Sequence, residues 1–405
     1  MRTLPALALA VCAGLASSAR ATSYTTQTIP DVLNNRTQHT PSVTVGTSPD
    51  GHTAIHAVYG GSDGGGTSVE HVALVHAWSV DGAPFTSEEI VHYAEFNGTG
   101  MYFAQAGYGG GYATVKLDAA FQPEVMFQGG YAVTRYVKTI FGTDQYTENI
   151  DPQVHNNGPN YAATSLSFVT TPEIAMGYSN VQDNTIRFTH LVNGVWKSET
   201  VTSDAAGANG LTLAYDGANN AHIAWLDGGH YVKYADRWSN GSWSVRTVGQ
   251  LGWANTHTPG LSMAIDSLNT PHIVTYDDEW NGFGNLQHWW LNNANTFVSE
   301  TITGYASSPP SLAAGTDGSL TVAYERFVSA VGWQLVVSTH AWAATHWNTQ
   351  ILSTNQTHGA PSLALDSAGY PVVAFIAADT GKVTVMHGGP TILYPQPCCV
   401  FQVGP

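Results

Sequence analysis

The sequence predicts an all-β fold, a seven-bladed β-propeller of four-stranded blades, and three observations carry that prediction. Only 10% of the 405 residues are charged, while the chain holds 42 Gly, 19 Tyr and 12 Trp, a composition that suits short strands and tight turns and does not suit helical bundles. A strand-turn-strand pattern recurs seven times along the chain. Its clear copies start about 50 residues apart, a period at which repeat architectures take precedence over other folds.

The unit is plainest at Pro361 to Phe375, PSLALDSAGYPVVAF, where a Pro-Ser start and a short apolar run lead through an Asp-Ser-x-Gly turn into a run rich in β-branched residues. Further copies are PSLAAGTDGSLTVAYE from Pro310, PGLSMAIDSLNTPHIVTYDDE from Pro259, NGLTLAYDGANNAHIAWLDG from Asn209 and PSVTVGTSPDGHTAIHAVYGG from Pro41, with looser ones from Thr164 and Tyr112. A third alternating run follows each copy, then a fourth with a recurring end: VWKSETV (Val195 to Val201), WSVRTV (Trp243 to Val248), FVSETI (Phe297 to Ile302) and WNTQIL (Trp347 to Leu352). Period-2 alternation makes each unit four strands, and repetition of such a unit is the pattern of a propeller.

The chain ends agree with ring closure. The last unit supplies three strands, ending near Val383 to His387, while YTTQTI (Tyr24 to Ile29) has the fourth-strand pattern, so the N-terminal strand is expected to complete the last blade and hide its edge. The expected organisation is residues 1–21 as signal peptide, 22–388 as propeller and 389–405 as a C-terminal tail. Within MRTLPALALAVCAGLASSARA, an apolar run from Leu4 to Ala16 and an Ala19-Arg20-Ala21 ending have the layout of a cleaved secretory signal, so the protein is expected to be secreted.

Cleavage would leave Cys398 and Cys399 as the remaining cysteines, so no disulfide framework holds the fold and stability rests on a large core. The net charge of -16 argues against nucleic acid and anionic membranes as partners. Asn35, Asn97, Asn240 and Asn355 begin glycosylation sequons that matter in a eukaryotic host.

In a propeller, the connections into the innermost strands and the loops joining second to third strands surround the channel mouth. Four junctions here carry a histidine: His39 before Pro41-Ser42, His155 before Asn156-Asn157, His257 before Pro259, and His358 before Pro361-Ser362. A structural role has each His bond a neighbouring backbone or hydroxyl group to lock a blade joint; a functional role makes one or two of them base, acid or ligand, since imidazole titrates near neutrality. Symmetric blades spread them too far apart to close one coordination shell, so no metal site is expected from the set. Tyr178, Tyr276 and Trp280 add aromatic rings among carboxylates and amides, the make-up of a sugar site, with ordinary loop composition as the alternative. Arginine is scarce, and Arg135 and Arg326, close to these loops, are the cations placed to neutralise a substrate carboxylate.

The DSAGYP and PHIVTY elements resemble the secreted sialidase-like propellers with BNR repeats, although the Asp-box Ser-x-Asp-x-Gly-x-x-Trp is absent. His39 to Tyr59, HTPSVTVGTSPDGHTAIHAVY, is similar to the His-led strand-turn-strand element of seven-bladed polysaccharide lyases that act on ulvan, and the outline is also similar to propellers that cleave rhamnose-glucuronate linkages. That resemblance implies β-elimination from a uronate, with His39 or His155 as base, Tyr178 or Tyr276 as acid, and Arg135 or Arg326 on the carboxylate; His257, Trp280 and His358 would hold the glycan.

The leading expectation is therefore a secreted, monomeric lyase of a uronate-containing polysaccharide. The alternatives are a lectin or adhesin that binds glycan without chemistry, or a glycosidase using carboxylates among Asp277, Asp278, Glu279 and Glu325. No cofactor is expected, and the run Asp277-Asp278-Glu279 is compatible with a structural calcium.

Overall fold

The computed structural model describes residues 22–30, 37–38, 41–62, 71–94, 113–117, 121–129, 133–139, 145–149, 165–167, 175–180, 184–192, 195–205, 208–228, 230–252, 260–279, 283–341, 344–354 and 359–390. The expected signal peptide and all but two residues of the expected tail lie outside this set. Among the described residues the regular structure is all strand, and no helix is long and apolar enough to cross a membrane.

After β1 (Thr22–Thr28) and the short β2 (Thr37–Gln38), the strands fall into antiparallel groups of four. The first is β3 (Ser42–Thr47), β4 (Thr53–Ser62), β5 (His71–Val80) and β6 (Thr86–Ala94), with β2 paired to the far end of β4. The second is β7 (Ala113–Leu117), β8 (Pro123–Gly129), β9 (Val133–Thr139) and β10 (Gln145–Asn149), and the third β11 (Ser165–Ser167), β12 (Ala175–Asn180), β13 (Thr185–Val192) and β14 (Val195–Thr202). The fourth is β15 (Asn209–Tyr215), β16 (Ala221–Leu226), β17 (Tyr231–Arg237) and β18 (Trp243–Gln250); the fifth is β19 (Gly260–Ile265), β20 (Pro271–Glu279), β21 (Phe283–Leu291) and β22 (Phe297–Ala306). The sixth is β23 (Ser311–Ala314), β24 (Leu320–Val328), β25 (Gly332–His340) and β26 (Asn348–Ser353). The last is β27 (Ser362–Leu365), β28 (Pro371–Ile376) and β29 (Val383–Pro390), with β1 as its fourth strand in register from Thr22 opposite Pro390 to Thr28 opposite Thr384. The N-terminal segment thus completes the last group, as its sequence pattern implies, and β29 runs two residues past the expected boundary at 388.

The recurrent Asp of the repeat shapes the first turn of each unit. Asp216 Oδ1 accepts the N–H groups of Ala218 and Asn220 at 2.9 and 2.8 Å, Asp266 Oδ1 those of Leu268 and Thr270 at 2.9 and 2.7 Å, and Asp366 Oδ1 those of Ala368 and Tyr370 at 2.9 and 2.8 Å. Three residues on, the chain turns through the left-handed region at Asn219, Asn269 and Gly369, residues that tolerate positive φ.

The Pro-Ser start has its own role. Ser42 Oγ accepts the Val115 N–H at 3.3 Å, Ser262 that of Leu312 at 3.0 Å, Ser311 that of Leu363 at 3.0 Å, and Ser362 that of Val43 at 3.0 Å. Each bond runs from one unit's first strand to the next unit's. Consecutive first strands lie beside one another in chain order, and β27 lies beside β3, so the succession returns to its start. Between neighbouring sheets sit apolar joints, such as Val274, Tyr276 and Leu286 against Leu320, Val322 and Tyr324, and Ile55, Ala57 and Tyr59 against Val372, Ala374 and Val385. Burial of these faces stabilises the fold.

Candidate functional site

The second strands lead towards the connections that enter each unit, and the residues at their far ends were expected to face the channel mouth. Two carboxylates there turn inward instead. Asp277, 7% exposed, accepts the Gly252 N–H through Oδ2 at 2.8 Å, and its Oδ1 has no hydrogen-bond partner among the described residues. Glu325, 0% exposed, accepts the Gly359 N–H through Oε1 at 2.9 Å, while its own N–H bonds Ser308 Oγ at 3.0 Å. Each carboxylate therefore fastens a connection between units, a task that satisfies a backbone donor and holds the loop end in place. Beside Asp277 the backbone is tight: a Cβ on Gly284 would sit 1.5 Å from the Asp277 carbonyl oxygen, which only glycine avoids.

The expected site residues fall into three classes. His39, His155, His257, Trp280 and His358 lie outside the described residues. Tyr178 lies in β12 opposite Arg187, and Arg135 in β9 opposite Asn149, with only their backbones described. Tyr276 and Arg326 are fully described, and they differ. Tyr276 was expected in a loop at the mouth, but β20 continues to Glu279, which leaves Tyr276 within the strand, opposite Gly260 and Leu286. At 1% exposure it packs in the joint between the fifth and sixth units, where a phenol has no path to a polymer. The acid role implied for Tyr276 is thereby corrected to a packing role.

Arg326 is partly exposed at the junction of the same two units. It stands opposite Ala306, the single rung that joins their sheets, and opposite Gln334 on β25. Its Nε donates to Gln334 Oε1 at 2.8 Å. Tyr305, adjacent to that rung, is 70% exposed, and Phe327 meets Trp333 edge-on at 4.9 Å between ring centroids.

Sequence reasoning missed a second set of functional groups, the histidine relays buried between sheets. In the first unit His56 Nδ1 and His76 Nε2 lie 3.0 Å apart, their rings stack within 1° of parallel, and His76 Nδ1 approaches Glu88 Oε1 at 3.4 Å. In the fifth unit His272 Nδ1 and His288 Nε2 lie 2.9 Å apart, and His288 Nδ1 approaches Glu300 Oε1 at 3.0 Å. His76 stacks on Trp78 and His288 on Trp290. Trp347 from the next unit closes the second relay, with its Nε1–H on Glu300 at 2.9 Å. Burial, reinforced by the neighbouring imidazole, pushes His56 down to about 3 and His272 down to about 4. A shared signal was available: both units read His-x-Trp in the third strand, with Glu 12 residues after that His.

No protein-family model matches the chain, and no curated protein matches it. Among solved structures it is similar to the fucose-specific lectin from Aleuria aurantia, at 12% identity over 80% of this chain and 98% of the lectin with a TM-score of 0.49. That lectin is described as having a six-bladed β-propeller fold. AofleA from Arthrobotrys oligospora is similar at 10% identity over 82% of this chain and 90% of that one, with a TM-score of 0.48. A protein of unknown function from Dyadobacter fermentans is similar at 12% identity over 79% and 98%, again with a TM-score of 0.48.

Proposed function

We propose that the chain is an exported seven-bladed β-propeller that binds glycans without cleaving them. The ring reading is supported by the cyclic succession of first strands, the serine bonds between them, and β1 as the fourth strand of the last unit. One observation carries the functional reading. At the described second-strand ends of the fifth and sixth units, Tyr276, Asp277 and Glu325 are buried in the scaffold, two of them bonded to backbone, while Arg326 is partly exposed and Tyr305, on the adjoining strand, is exposed. Proton transfer needs reachable acids and bases, whereas glycan binding needs rings to stack on sugar faces and fixed polar groups to hold hydroxyls. The proposed organisation remains a leader over 1–21, a ring to about Pro390, and a glycan partner met outside the cell.

Retention of the purified mature protein on immobilised glycans tests this reading, with ulvan, gum arabic, pectin and α-methyl-L-fucoside as probes. Ultraviolet absorbance is followed alongside for unsaturated uronate. Retention without new absorbance is the expected result. Release of unsaturated product, lost in a folded His39→Ala variant, would replace the reading with that of a lyase.

A further inference from the structure

We propose that Arg326, held by Gln334, forms a subsite for the carboxylate of an acidic sugar; the inference rests on the glycan-binding reading and names the class of sugar. Three other cations each meet a carboxylate: Arg237 meets Glu199 at 2.8 Å, Arg246 meets Asp236 at 2.9 Å, and Lys233 meets Asp227 at 3.6 Å. Arg326 differs from these. Its Nε is occupied by a neutral amide, and its two Nη groups have no partner among the described residues.

Gln334 is only 5% exposed and lies on the strand directly opposite, so one edge of the guanidinium is fixed by a group that is itself immobile. That leaves the other edge, with parallel N–H donors, matched to the two oxygens of a planar carboxylate. Pre-orienting the fork spares rotamer entropy on binding. Glu325, the nearest carboxylate in sequence, is tied to the Gly359 N–H.

Tyr305, next to the Ala306 rung, offers an exposed ring at this junction, while strand alternation turns Phe327 and Trp333 to the face away from Arg326 and Gln334. The chain's net charge of -16 opposes a polyanion at long range, so attraction must come from a local cation, and Arg326 meets no carboxylate among the described residues.

The test compares an oligogalacturonate with its methyl ester, on the mature protein and on Arg326→Gln, Arg326→Lys and Gln334→Leu variants of it. The acid should bind the parent about tenfold or more tightly than the ester, the scale of a charge-assisted pair. Arg326→Gln should erase that preference, bringing binding of the acid down to that of the ester. Gln334→Leu and Arg326→Lys should reduce it in part, by freeing the fork or replacing it with a point charge. Should Arg326→Gln fail to fold, the parent's acid-to-ester ratio and the lysine variant decide. Equal binding of acid and ester by the parent, or an unchanged ratio in folded Arg326→Gln, overturns the subsite and leaves glycan binding standing. An Arg326-dependent preference for a sulfated dextran over the oligogalacturonate would overturn the carboxylate assignment in favour of sulfate esters. Failure of the parent to bind any glycan in the panel overturns both readings.

Discussion

Ser362 Oγ accepts the N–H of Val43 at 3.0 Å, a bond between residues 319 positions apart that ties the last unit's first strand to that of the first unit. Val43 is buried, so removing the acceptor leaves its N–H with neither protein nor water. Ser362→Ala should cost about 1–3 kcal/mol, the penalty of an unmet buried donor. Urea titration checks this, and a midpoint equal to the parent's would show that the bond contributes nothing to closure.

The N-terminal strand should matter through Ile29 as much as through its ladder. Ile29 is fully buried in the joint shared by the last and first units, and its N–H bonds the Val383 carbonyl at 2.9 Å. Ile29→Ala should destabilise by about 2–5 kcal/mol, the cost of a cavity in a packed core. Thermal unfolding of the variant measures it; a loss below that of exposed Thr26→Ala would remove β1 from the account of stability.

Gly284 is required by contact rather than by φ. A methyl group there would overlap the Asp277 carbonyl oxygen, so Gly284→Ala must displace β20 from β21 at the end where the two strands connect. The expected loss is about 3 kcal/mol or more, in the range of severe overpacking. Amide exchange should speed up around Asp277 and Gly252 first. Unchanged protection at both would contradict the packing described.

The histidine relays predict how stability depends on pH. The folded-state values of His56 and His272 lie below the ordinary 6.5, so the unfolded chain binds more protons as the solution is acidified. Stability is then full above about 6.5 and is lost as pH falls, until about 4 for His272 and about 3 for His56. Among the groups around these rings are His76, Glu88 and Trp78 in the first unit, and Asp266, His288, Trp290, Glu300, His340 and Trp347 in the fifth. Replacing either His by Gln keeps a polar partner and removes the titration. Unfolding midpoints at pH 7 and pH 4.5 should lie closer together in His56→Gln and His272→Gln than in the parent. An identical gap in all three proteins would sink the assignment.

The architecture was legible because turn chemistry is local. Asp366 and Gly369 lie three residues apart and shape one turn, so their pattern shows in any single copy of the repeat. The serine bonds were invisible for the opposite reason: Ser311 meets Leu363 from 52 residues away, and composition carries no trace of such a partner. Tyr276 was misplaced because strand length is set by the neighbouring strand. Pairing with Phe283–Leu291 draws Asp277 to Glu279 into the ladder and moves Tyr276 away from the loop. The relays needed register as well. Only when His56 stands opposite Trp78, and His272 opposite Trp290, do alternating residues of three strands meet on one face.

The pairing of β1 with β29 also sets a schedule. Ser23 bonds the carbonyl of Pro390, 367 residues further along, so the earliest strand waits for almost the whole chain before it has a partner. Contacts of such sequence separation form late and slowly, because a long loop must close before any bond repays it. Until then β29 presents an open edge, a template for strands of other molecules. The most aggregation-prone moment in the life of this protein is therefore expected just before its two ends meet, and variants that weaken β1 should lower the yield of folded protein more than they lower the stability of what folds.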